Sequence, residues 1–213
     1  MSRFATYVLA AAGLALTLPL GAQPMQKPGA PNPALVKAGT YKVDPGHTLV
    51  KWSVDHMGLT PYYGLFGDVS GSLTIDPAKS SAAKVDVTIP VAKITTVNAA
   101  LSAHLLRPAG AGGKADYFGA APADARFVST VITPLGNGKA RVTGNLTLNG
   151  VTKPVVLTAA FYGAGTLPQM MGGGSGLGFT ATGKIMRSQF GLGYGVPMVS
   201  DEVGLEISAA FMK

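Results

Sequence analysis

The sequence predicts an all-β fold of antiparallel strands, and three observations carry that reading. Among 213 residues there are 29 glycines and 15 prolines but only two glutamates, Glu202 and Glu206, a composition poor in helix formers. Segment after segment alternates apolar and polar side chains. Gly, Pro, Asn and Asp separate these segments at turn positions.

The first segment stands apart from the fold. Residues 1–22 read as a secretory signal peptide: Arg3 supplies a positive start, 4–18 is uncharged and apolar, and Pro19, Gly21 and Ala22 form a small-residue end. Cleavage is expected after Ala22. The apolar stretch is short for a membrane span of about 20 residues. In a bacterium the mature chain would then be periplasmic or secreted. Residues 23–38 carry four prolines and no periodicity, and read as a Pro-rich linker. One domain is expected over 39–213.

Within that domain, Val50, Trp52, Val54 and His56 share one face of a strand, with Lys51, Ser53 and Asp55 opposite. Val85, Val87, Ile89 and Val91 repeat the pattern, as do Val142, Leu146 and Leu148. Val155, Leu157, Ala159 and Phe161 form a further face, followed by Phe179, Ala181, Gly183 and Ile185. The last strand sets Val203, Leu205, Ile207, Ala209 and Phe211 against Glu202, Glu206 and Ser208. One apolar and one polar face mean an antiparallel sheet wetted on one side. About eight such strands fit either a sandwich or a closed barrel, which removes both edges.

The connections fit hairpins. Asn137-Gly138 and Asn149-Gly150 are two-residue turn signals between alternating runs. Residues 95–106 break the pattern by spacing Val97, Leu101, His104 and Leu105 at helical intervals, which predicts one short helix against the sheet. Ala159, Ala181, Gly183 and Ala209 are small residues at inward positions and leave room for a cavity; a solidly packed interior is the alternative.

Composition narrows function. The absence of cysteine excludes a disulfide framework, a thiolate metal site and a cysteine nucleophile. The net charge is +7, but the 17 basic residues are spread singly rather than clustered as a nucleic-acid footprint requires. No nucleic-acid partner is expected, and attraction to an anionic membrane surface stays open.

A catalytic metal would have to use the three histidines, His47, His56 and His104. No His-x-His pair or neighbouring carboxylate supports them, so no metal is expected. No Gly-x-Ser-x-Gly elbow exists, and the ten carboxylates fall on outward positions or turns. The chain is expected not to be an enzyme.

The apolar residues carry a better hypothesis. Trp52, Phe66, Phe118, Phe127, Phe161, Phe179 and Phe190 fall at or near inward positions, beside Val54, Leu146 and Ala181. As a channel lining they suit a flexible hydrocarbon chain. Ten buried methylenes at about 0.8 kcal/mol each offer about 8 kcal/mol gross, roughly micromolar affinity before ordering costs. His104 is expected in the lipid-binding set, and His56 or Arg187 would orient a head group; a surface ion pair with Asp201 or Glu202 is the other reading of Arg187.

From Gly39 onward a series of short pieces stands in order: 41–48 (YKVDPGHT), 54–58 (VDHMG) and 63–67 (YGLFG). His104-Leu105, 116–118 (DYF), 126–129 (RFVS) and 142–154 (VTGNLTLNGVTKP) follow, and 187–191 (RSQFG) and 201–203 (DEV) complete the series. In these pieces the chain resembles the YceI-like proteins, a lipocalin-like group of bacterial periplasmic proteins. The resemblance implies an eight-stranded antiparallel lipocalin-like barrel with a short helix near one end. It implies a long apolar channel for a polyisoprenoid, without catalysis. The chain departs from the family pattern at 107–114 (RPAGAGGK), an insertion near the expected channel mouth.

The expectation is therefore a periplasmic lipid-binding protein that sequesters or carries an isoprenoid chain of polyprenyl or quinone type. It would have no cofactor, and its contact with a membrane surface would be transient. The oligomeric state stays open, a homodimer included. A His-based or metal-assisted enzyme acting on a lipid head group is one alternative. A packed accessory or stress-response barrel without ligand is the other.

Overall fold

The structure, a computed structural model, describes residues 26–213, so the expected signal peptide lies outside the described residues. The strands are β1 (Gly29–Ala30), β2 (Gly39–Val43), β3 (Leu49–His56), β4 (Thr60–Phe66), β5 (Ser70–Ile75) and β6 (Lys84–Ile89). After the helix α1 (Ala99–Leu105) come β7 (Ala125–Gly136), β8 (Lys139–Leu148), β9 (Val151–Thr166), β10 (Ser175–Met186) and β11 (Glu202–Met212).

All pairing is antiparallel, and the sheet closes on itself. β11 pairs with β3 over Gly204–Ser208 and with β2 at Phe211 and Met212. β2 and β3 are thus two halves of one barrel strand, broken at residues 44–48. β4 and β5 are likewise two halves of the next strand, paired with β3 and β2 in turn. With β6 to β11 the circuit holds eight strands, and the outer edge of β4 is met by the single bridge between Leu65 and Thr95. The closed barrel replaces the sandwich that alternation alone left open.

The break between β2 and β3 is chemically satisfied. The Asp44 carboxylate accepts from the Gly46 amide at 3.0 Å and meets His47 Nδ1 at 2.8 Å. Thr48, 3% exposed, donates its hydroxyl to the Ala210 carbonyl at 3.1 Å and accepts from the Ala210 amide at 3.0 Å. A side chain thereby replaces the missing rung of the ladder.

Antiparallel order sorts the connections to two ends. At one end lie α1, the turns at 57–59 and 149–150, and the loops 106–124 and 187–201. At the other lie the segments 26–38 and 76–83 and the hairpins at 137–138 and 167–174. The helix is shorter than the 95–106 periodicity predicts. Thr95 pairs with Leu65 as a strand bridge, and Asn98 caps the helix by accepting from the Leu101 amide at 3.1 Å.

The structure places part of the Pro-rich segment against the barrel. β9 runs beyond the end of β8, and β1 covers that exposed edge through Gly29↔Gly165 and Ala30↔Ala164. Pro33 and Val36 reach the interior. Such contacts are made one residue at a time and leave no periodicity to read.

Gly71 shows how tightly the wall is bent. Its φ is +124°, and a Cβ there would lie 2.2 Å from the Asp86 carbonyl oxygen. Gly71→Ala is expected to cost about 3 kcal/mol, lowering Tm by roughly 6–12 °C in a melt followed by circular dichroism. Gly110→Ala, in open space at an ordinary φ, should leave Tm unchanged; equal melting of the two variants would contradict the close packing at Gly71.

Candidate functional site

The inward faces enclose a cavity of about 990 Å³. It exists because alternation turns one apolar side chain in two toward an axis that small residues leave unfilled. Ala159, Ala181 and Ala209 all line it. Phe161, Phe179 and Phe211 stack edge to face along the wall, at 5.7 and 6.3 Å between centroids. Phe161 and Phe179 are only half-buried, because they border empty space rather than packed atoms.

The structure brings twelve of the thirteen expected residues to this cavity: Trp52, Val54, His56 and Phe66 from β3 and β4, His104 from α1, Phe118, Phe127, Leu146, Phe161, Phe179, Ala181 and Arg187. Phe190 is the exception. It sits in a 3₁₀ turn rather than a strand, so alternation does not govern its direction. It is 1% exposed, clustered with Val91, Leu148 and Leu192 to seal the helix end. None of residues 107–114 lines the cavity.

Tyr62, Asn98, Tyr117 and Ile132 line the cavity unpredicted. Tyr62 was legible, since it shares a strand face with Phe66. Ile132 was not: a bulge at Ser129–Val131 shifts the register of β7 and reverses which residues point inward. Asn98 and Tyr117 lie outside the strands and carry no periodic signal.

Polar lining groups collect at the helix end. The Trp52 Nε1–H and the Tyr62 hydroxyl are buried without a hydrogen-bond partner among the described residues. Both side chains line the cavity, so a ligand atom can meet them. A buried donor left unmet costs about 1–3 kcal/mol, which a ligand acceptor would recover. His56 and Asn98 border the same region. Gly64 permits the arrangement, because a Cβ there would lie 2.2 Å from the Trp52 ring.

The histidines do not converge. His47 is exposed at the β2–β3 break, paired with Asp44. His104 Nε2 lies 2.7 Å from Asp116 Oδ2, and Arg107 donates to the same oxygen. These two donors hold the Asp116 carboxyl below its ordinary range. Tyr117 and Tyr194 pack edge-on against the imidazole at 5.4 and 5.8 Å, and burial raises the Tyr117 phenol. Among the described residues no three His, Asp or Glu side chains gather as a metal site.

Arg187 lines the cavity but does not form the expected surface ion pair: it is 6% exposed and makes no salt bridge with Asp201 or Glu202. Its guanidinium donates to the carbonyls of Ser200 (2.8 Å), Tyr194 (2.8 Å), Val199 (2.8 Å) and Leu192. Four of five N–H donors thus staple the 191–201 loop across the barrel end. Asp201 instead accepts from the Ser188 amide and hydroxyl at 2.7 and 2.6 Å, which holds its carboxyl below the ordinary 3.8. Glu202 pairs with Lys184.

Residues 41–211 match the YceI-like domain family. A UPF0312 protein of Photorhabdus laumondii is 38% identical over 180 residues, covering 83% of this chain and 88% of that protein. Among solved structures, Burkholderia cenocepacia BcnA superposes with a TM-score of 0.64 at 28% identity, covering 79% of this chain and 98% of BcnA. A Campylobacter jejuni YceI protein gives 0.61 at 32% identity, over 75% and 90% of the two chains. A polyisoprenoid-binding domain of Saccharophagus degradans gives 0.58 at 13% identity, over 83% and 99%, a likeness of fold alone.

Arg187→Met would strand four loop carbonyls at a buried site. It is expected to cost more than about 3 kcal/mol in a urea melt; a loss below about 1 kcal/mol would deny the stapling role. The Asp201 contacts give a pH signature. Its folded pKa is lowered, so their contribution is full above the ordinary 3.8 and is lost as pH falls through the folded value. The stability advantage of the parent chain over Asp201→Asn should therefore be present at neutral pH and vanish in strong acid; an advantage that grows on acidification would contradict it.

Proposed function

The chain belongs to the YceI-like family, and from that premise we propose that it is a periplasmic carrier that holds an isoprenoid lipid in its barrel without a covalent step. The observation that supports this best is the cavity itself: hollow, mainly apolar, with most of its polar lining groups at the helix end. At about 30 Å³ per methylene-sized group, 990 Å³ accommodates roughly thirty such groups, or about six isoprene units. That much apolar burial outweighs any single polar contact, so the chain supplies affinity and the head group supplies orientation.

The polar end favours a neutral head group. Trp52 and Tyr62 offer donors for a carbonyl oxygen. At the helix end a diphosphate would need free cationic groups, and Arg187 there spends four of its five N–H donors on backbone carbonyls, while Lys139, unpaired among the described residues, lines the opposite mouth. A quinone-type ligand fits better than a diphosphate. The periplasmic assignment rests on the signal-like residues 1–22. The separation of His47 from His56 and His104 removes the geometry that a three-histidine metal enzyme needs.

Native mass spectrometry of protein purified from its own host, followed by lipid extraction, tests the reading: a stoichiometric isoprenoid is expected. Its absence, together with no Tm rise on adding long-chain quinone or polyprenol, would defeat the proposal. Ala181→Trp fills the channel and should abolish loading while preserving the fold. Trp52→Phe removes one donor and should weaken quinone binding about 5–10-fold. Unchanged loading of Ala181→Trp would put the ligand elsewhere.

A further inference from the structure

We infer that the barrel end opposite α1 docks on the surface of an anionic phospholipid bilayer. The net charge of +7 looks diffuse in the sequence, but folding distributes it unevenly. The strand order brings Lys27, Lys37, Lys79, Lys84, Lys139 and Lys213 to this end, all exposed. Asp76 is the only acidic side chain among them, and its carboxylate caps a 3₁₀ turn by accepting from the Ala78 amide. None of the six lysines pairs with a carboxylate among the described residues.

Apolar tips stand among these charges. Met170 is 86% exposed, Met171 51%, Leu135 49% and Leu35 43%. They come from the β9–β10 hairpin, the β7–β8 hairpin and the N-terminal segment, and so ring the barrel end rather than form one strip. Lysines around exposed methionine and leucine match a surface with anionic head groups above an apolar layer.

The opposite end exposes apolar groups too, among them Leu59, Val97 and Met198. There the charge is different. Asp55, Asp116, Asp124, Asp201 and Glu202 offset the basic residues, and Arg107 and Lys184 are already paired. Electrostatics therefore selects one end for an anionic surface.

The docking end is also where the cavity opens. Pro33, Pro77, Ser80, Pro134, Gly136 and Gly138 line the cavity and are exposed, whereas at the helix end Asn98 is the only exposed lining residue among the described residues. Resting on the carrier reading, docking faces this mouth toward the bilayer. A lipid then enters head group first, travels to Trp52 and Tyr62, and leaves its tail nearest the membrane.

Vesicle flotation tests the inference with purified protein on phosphatidylcholine vesicles with and without about one-third phosphatidylglycerol. Binding to the anionic vesicles only is expected, with loss at high salt. Each lysine near such a surface is worth about fivefold, so Lys37→Gln with Lys79→Gln should weaken partitioning about 25-fold. Lys114→Gln with Lys153→Gln, toward the helix end, should stay within about twofold of the parent chain. Met170→Ser should weaken binding without changing its salt dependence. Equal losses in the two lysine pairs, equal binding to both vesicle types, or sedimentation showing that this face joins two copies of the chain would overturn the inference. Quinone loading in detergent, measured on the same variants, should be unchanged. A parent chain that loads quinone but does not bind anionic vesicles refutes the docking inference alone, and failed loading in the parent chain refutes the carrier reading instead.

Discussion

The barrel depends on one constraint: its strands must close while its inward side chains are too small to fill what they enclose. β11 meets both β2 and β3 and so closes the circuit. The ladder carries the fold, and the wall packs in three clusters instead of one central core. An unfilled apolar interior forfeits dispersion contacts that a packed core would make. The empty protein is thereby less stable than its strand count allows, and a ligand that fills the space adds stability by mass action.

The two ends of the tube solve different problems. At the helix end, backbone carbonyls of a long irregular loop come together where water is scarce, and the Arg187 guanidinium meets four of them. The charge needs no carboxylate partner because the carbonyl dipoles replace its hydration. Phe190 and Leu192 seal the gap beneath. At the far end no such staple exists among the described residues. Short turns, glycines and prolines surround an opening, with exposed lysines around it.

These arrangements divide the ligand's recognition in the same way. Hydrocarbon burial is nondirectional and tolerates any chain that fits. The unmet donors of Trp52 and Tyr62 are directional, and both line the cavity toward the helix end. Most of the polar lining groups lie at the closed end, whereas proline and glycine, with Ser80 and Lys139, line the open one.

Much of this was legible in the residues. Period-two alternation assigned the inward faces of β3, β6, β8, β9, β10 and β11, because side-chain direction in a strand is a local property. Asn137-Gly138 and Asn149-Gly150 marked their hairpins for the same reason; both asparagines adopt the positive φ such turns need. Other features depend on partners far away in sequence. The bulge in β7 inverts alternation near Ile132, Arg187 finds carbonyls only after its loop has folded back, and Phe190 turns into a seal rather than a wall. The N-terminal prolines acquire a role only because β9 outruns β8. The sequence by itself determined most of the barrel strands and the apolar face of six of them, since those follow from neighbouring residues. Tertiary structure alone decided that the circuit closes around empty space, and that scattered lysines share one end while unmet donors share the other, because closure and convergence are long-range events.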